Sequence, residues 1–185
     1  MNRRVRDITW AAIIAALYVI LTLVLAPISF GIIQLRLSEV LTVLPVFTPA
    51  AVPGIMLGCL LGNLLNPQNL GPIDIIFGTG ASGLAAWLTY LLGKRYRRIK
   101  KTAAVYEQRQ VMLARIAALL PPVIVNALIV GVYLPFLLLE QVTAAVVLLS
   151  VLSLALSQSV VLLLLGYPLL VNIERSPLAL MMERT

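Results

Sequence analysis

The chain has 185 residues, 61% of them hydrophobic, with a mean hydropathy of +1.03 and only 11% charged residues, against about 25% in an ordinary soluble domain. This composition excludes a soluble globular domain and defines an integral membrane protein. The net charge of +7 is that of basic loops rather than a nucleic-acid binder, and with no histidine and one cysteine the chain has no Ser-His triad, His-ligated zinc, HExxH site or internal disulfide.

Apolar segments follow one another at about 7–27, 36–48, 50–66, 72–93, 113–138 and 142–172, forming a single membrane domain over 1–185. The first is uncharged from 8 to 26 and no small-residue cleavage site follows it, so it reads as a retained transmembrane helix. The second and third would make one tilted helix but for Pro45, Pro49 and Pro53, four residues apart, which argue for a break. The segments at 72–93 and 113–138 have roughly the twenty residues a bilayer needs. The last, 142–172, spans with tilt or a bend.

Charge sets the expected topology. Arg3, Arg4 and Arg6 precede the first segment, "KRYRRIKK" opens a basic stretch over about 94–112, Arg115 follows it, and Arg175 and Arg184 close the chain. The positive-inside rule puts all of these in the cytoplasm. Six spans with both termini cytoplasmic achieve this for 13 of the 14 basic residues. The expected fold is therefore an all-α integral membrane bundle of six transmembrane helices in the cell membrane.

The exception is Arg36, in "FGIIQLRLSEVL", which falls on the outer side with Glu39, Asp74 and Glu140. The second segment spans only about 20 Å as a helix, so Arg36 and Glu39 are candidates to sit at membrane depth. Three residues apart, they would share a helix face and neutralise one another. Asp74 has no basic neighbour in sequence, which leaves net negative charge for a cationic or donor-rich ligand. Gln34 and Asn63 lie at the same level, and Asn126 and Gln158 sit within the fifth and sixth segments. Each amide offers both a donor and an acceptor, suited to a heterocycle edge or to an interhelical bond. Phe30 and Tyr133 are placed to stack on a flat ring or to anchor at the interface.

Other motifs have plainer meanings. "GTGASG" at 78–83 matches G-x-G-x-x-G, but inside an apolar helical segment it signals close packing, not a dinucleotide loop. Gly54, Gly58 and Gly62 form a small-residue stripe for helix packing. Ala11/Ala15 and Ala12/Ala16 are small-xxx-small pairs, read equally as bundle contacts or as a docking strip for another membrane protein. The basic stretch 94–112 is a cytoplasmic anchor that also offers a surface to anionic membrane lipid. No Walker A sequence occurs, so any ATP that drives the protein is bound by another chain.

"FGIIQLRLSE", Gly62-Asn63 and "GPIDIIFGTGASG" resemble the QueT family of substrate-binding subunits, the S-components of energy-coupling factor (ECF) transporters. The resemblance runs over about 8–170. It implies no enzyme activity, no cofactor or metal, and an outward-opening site for a queuosine precursor, either an aminomethyl 7-deazaguanine or queuine. It also implies partners: a coupling subunit, contacted through Ala12 and Ala16, and a pair of ATPase subunits. Gln158 departs from the acidic residue the family pattern implies there. The rival expectation is a stand-alone secondary transporter of a small nitrogenous solute, proton-coupled through Glu39 or Asp74.

Overall fold

The computed structural model describes residues 2–26, 36–66, 70–102 and 107–183. Among these the chain is all helical. Helix α1 covers Arg3–Val24, a 3-10 segment Leu37–Val46, α2 Ala51–Leu65, α3 Pro72–Thr102, α4 Gln108–Leu138, α5 Ala144–Arg175 and α6 Pro177–Glu183. Helices α1, α3, α4 and α5 are long and apolar enough to cross a membrane. The 3-10 segment and α2 are shorter apolar elements. The long helices expose many large hydrophobic side chains, such as Leu17, Phe77, Leu128 and Leu156, as expected where lipid rather than water is the solvent.

The expected break after the second segment is present, but that segment is not α-helical. Pro45 has no N–H to give Leu41, and the Thr42 hydroxyl instead closes a local turn onto the Glu39 carbonyl at 2.6 Å. A 3-10 helix rises about 2.0 Å per residue, so these residues reach about as far as the longer α-helix the sequence suggested. Pro53 falls in the first turn of α2, where no N–H is needed.

Helices α3 and α5 each add a feature beyond their apolar runs. Helix α3 does not stop at the end of its apolar run but carries the basic residues through Lys101. In α5, Leu162–Gly166 forms a π-turn just ahead of Pro168, whose ring would collide with the Leu164 carbonyl in a regular helix. Gly71 has φ +95°, a left-handed conformation that turns the chain into Pro72 at the start of α3.

The small-residue stripe of α2 lies against α1. A Cβ built on Gly54 would stand 2.8 Å from the Ala11 carbonyl oxygen, and one on Gly58 2.5 Å from Tyr18 Cβ. Ala11, Ala15, Tyr18 and Thr22 therefore form the α1 face that meets α2, while Ala12 and Ala16 point out of the bundle. The apolar core has one part around the 3-10 segment, with Ile14, Val43, Val46, Ile55, Leu162 and Leu170. A second, with Ala81, Ala85, Val130, Leu134 and Leu154, joins α3, α4 and α5.

Candidate functional site

Polar side chains that the apolar packing would normally exclude are gathered where α1, the 3-10 segment, α2, α3 and α4 converge. Glu39 is 0% exposed, Asp74 2% and Arg36 5%. Asn63, Ser82 and Asn126 are buried with them. An isolated ion in so dry a place costs several kcal/mol, so each must be compensated.

Glu39 is held from one side. Tyr18 donates its hydroxyl to Glu39 Oε1 at 2.7 Å. Asn126 and Ser82 face the same carboxylate, yet Oε2 has no hydrogen-bond partner among the described residues. Ser38, beside Glu39, accepts from Thr22 at 2.9 Å, which pins the 3-10 segment to α1 at this level. Arg36 and Glu39 attract one another electrostatically. Arg36 sits at the N-cap with extended backbone (φ −84°, ψ 98°), so the helical three-residue spacing does not govern its direction. Its guanidinium is within electrostatic reach of both Glu39 and Asp74.

Asp74 is held from the opposite wall. Tyr133 of α4 donates to Asp74 Oδ1 at 2.7 Å. Asn63 Nδ2 reaches the Asp74 backbone carbonyl at 3.5 Å and Cys59 Sγ at 3.8 Å, and Ser82 donates to the same sulfur at 3.3 Å. Gly78 makes this convergence possible: a Cβ there would lie 2.9 Å from Asn63 Nδ2 and 3.4 Å from Tyr133 Oη. The "GTGASG" run is thus the wall of α3 that accepts polar neighbours, consistent with packing and not with a phosphate loop. Phe77 stands against Tyr133 with ring centroids 5.9 Å apart.

The structure thus brings together six of the expected residues: Arg36, Glu39, Asn63, Asp74, Asn126 and Tyr133. Gln158 is buried in α5 with its Oε1 unpartnered, and no hydrogen bond among the described residues ties it to this group. Phe30 and Gln34 lie outside the described residues. Sequence reasoning missed Tyr18, Ser82 and Cys59. The signal for Tyr18 was present, since it continues the Ala11/Ala15 face at helical spacing; a tyrosine in a small-residue contact strip has a job for its hydroxyl.

Buried carboxylates and a guanidinium inside an apolar helical bundle define a membrane protein that handles a polar solute. A family model described as QueT transporter matches residues 8–175. The chain belongs to the QueT transporter family, a family of transporters and not of enzymes. It is similar to a protein named queuosine precursor transporter QueT from Lactococcus lactis subsp. cremoris (strain MG1363), 37% identical over 93 residues. That match covers 49% of this chain and 53% of the relative, so the chain spans about half the length of the curated relative it matches. No solved structure matches the chain.

Proposed function

We infer that this chain is the substrate-capturing subunit of an ECF-type transporter and binds a queuosine precursor at the Glu39–Asp74 cluster. The observation that carries the reading is Glu39 Oε2: a fully buried carboxylate oxygen with no partner among the described residues, next to a second buried carboxylate and one guanidinium. A guanine-like edge presents adjacent N–H donors, and a carboxylate with a free oxygen accepts them. The cluster's charge, two carboxylates against Arg36, suits a substrate that carries a protonated amine, as an aminomethyl 7-deazaguanine does. Tyr133, bonded to Asp74, offers an aromatic ring at the same level. The printed name of the Lactococcus relative agrees with this substrate class.

The topology that goes with it has six spans, the 3-10 segment and α2 serving as short crossings, with both termini and the basic stretch in the cytoplasm. The site then opens outward. The exposed Ala12/Ala16 strip of α1 is a smooth surface for a coupling subunit, which would join the chain to ATPases. The test is calorimetry of the purified chain with guanine, the aminomethyl deazaguanine and queuine, without ATP. Submicromolar binding of a precursor is expected, and no heat from any precursor on folded protein sinks the reading. Accumulation of substrate by the chain alone in proteoliposomes would favour a secondary transporter instead.

A further inference from the structure

At the basic end of the bundle, far in sequence from the Glu39 cluster, the ends of α3, α4 and α5 enclose a cavity of about 490 Å³. Among the described residues its lining is Lys100, Gln108, Arg109, Val111, Met112, Arg115 and Tyr167: three cations and no carboxylate. One wall is rigid. Arg115 donates through Nε to Tyr96 at 3.1 Å, through Nη1 to Tyr167 at 3.1 Å and through Nη2 to Glu174 at 3.0 Å. Its guanidinium also lies 5.6 and 5.5 Å from the Tyr96 and Tyr167 ring centroids. A guanidinium has five N–H donors, so two remain after these three bonds. Tyr167 accepts from Arg115, and its own O–H proton has no acceptor among the described residues.

The other wall is uncommitted. Arg109 and Gln108 are exposed and make no hydrogen bond or ion pair among the described residues. Glu174 lies outside the cavity lining and is shared by Arg115 and Lys100, each at 3.0 Å. It offsets one of the three positive charges. Met112, in the lining, and Leu113, next along α4, are exposed and apolar, in the stretch where α4 enters its apolar span.

We propose that this cavity is a binding site for a phosphate group, free or esterified, with fixed donors from Arg115 and Tyr167 on one side and exposed positive charge from Lys100 and Arg109 on the other. A phosphodiester has two non-bridging oxygens, each with lone pairs for more than one donor, and a free phosphate has more, so either takes planar guanidinium donors, a hydroxyl and an ammonium together. The apolar rim fits a phospholipid whose acyl chains continue along α4, and a free phosphate shares the same headgroup chemistry. The site is independent of what the Glu39 cluster binds.

The experiment uses the full chain purified in a neutral detergent, read by native mass spectrometry and thermal melting. The probes are phosphatidylglycerol, phosphatidylcholine and inorganic phosphate. Phosphatidylglycerol is expected to be retained and to raise the melting temperature, while phosphatidylcholine does neither. Arg109→Gln, which breaks no contact of the fold, and the pair Arg109→Gln/Lys100→Gln should weaken retention progressively, the pair by about tenfold or more. Arg95→Gln/Arg98→Gln removes equal charge from the exposed side of α3 and should leave retention unchanged. Stabilisation by inorganic phosphate, with displacement of the lipid, assigns the site to a free phosphate; stabilisation by lipid alone assigns it to a headgroup. The proposal is overturned if the Arg95/Arg98 pair weakens retention as much as the Arg109/Lys100 pair. It is equally overturned if neither phosphatidylglycerol nor inorganic phosphate stabilises the chain.

Discussion

Tyr18 of α1 donates its hydroxyl to Glu39 of the 3-10 segment across 2.7 Å, and this bond fixes one carboxylate oxygen while the other has no partner among the described residues. The two residues are 21 apart in sequence, and both are almost wholly buried. Their contact joins the packing of α1 on α2 to the geometry of the candidate site. The Tyr18 ring that fills the space over Gly58 also carries the hydroxyl that orients Glu39.

Removing that hydroxyl with Tyr18→Phe keeps the ring against Gly58 but strands Glu39 Oε1. A loss of about 1–3 kcal/mol is expected, because a buried charged acceptor is left unmade. Thermal melting in detergent reads the loss. Ligand affinity should fall as well, since Glu39 is no longer held in one rotamer.

Glu39→Gln separates binding from folding. The amide keeps an acceptor for Tyr18 and loses the charge, so the melting temperature should hold or rise. Precursor binding should fall at least about tenfold, the effect of losing one charge-assisted hydrogen bond. Calorimetry showing unchanged affinity would remove Glu39 from the site.

Tyr133 and Asp74 should behave as a coupled pair. Tyr133→Phe and Asp74→Asn each remove one side of the 2.7 Å bond. The double variant should cost less than the sum of the singles by about 0.5–3 kcal/mol in a stability cycle. Strict additivity would mean the bond contributes nothing.

The glycines of the bundle are not equivalent. Gly58→Leu places a side chain where a Cβ alone would stand 2.5 Å from Tyr18. It is expected to destabilise by about 1–3 kcal/mol or to prevent folding. Gly80 has open space around its Cβ position. Gly80→Ala should therefore be neutral or stabilise by up to about 1 kcal/mol, the helix-propensity difference. Equal effects at both positions, measured by melting, would contradict the α1–α2 contact.

Glu174 is the shared acceptor of Tyr96, Arg115 and Lys100. Glu174→Ala should cost about 2–3 kcal/mol, discounted because Lys100 is well exposed to solvent and loses little. Lys100→Gln should cost much less, within about 1 kcal/mol. Chemical denaturation of the two variants side by side checks the order.

The sequence by itself determined the membrane class, because a chain so poor in charge has no other solvent in which to expose its Leu and Ile faces. It determined the proline break before α2, the packing role of Gly54, Gly58 and Gly62, and the burial of Arg36, Glu39 and Asp74. Each of these follows from a cost that a few residues carry with them: a missing N–H, a missing Cβ, an ion without water. Only the tertiary structure decided which partners meet those costs. Arg36, at an extended N-cap rather than inside a helix, came within electrostatic reach of Asp74 as well as of its neighbour Glu39. Tyr18 and Tyr133, distant in sequence, arrived at the two carboxylates from opposite walls. Arg115, which reads as one more basic loop residue, became the centre of a fixed network with Tyr96, Tyr167 and Glu174. Local pattern sets what a residue needs. Which neighbour supplies it depends on how whole helices stack, and no short window of sequence contains that information.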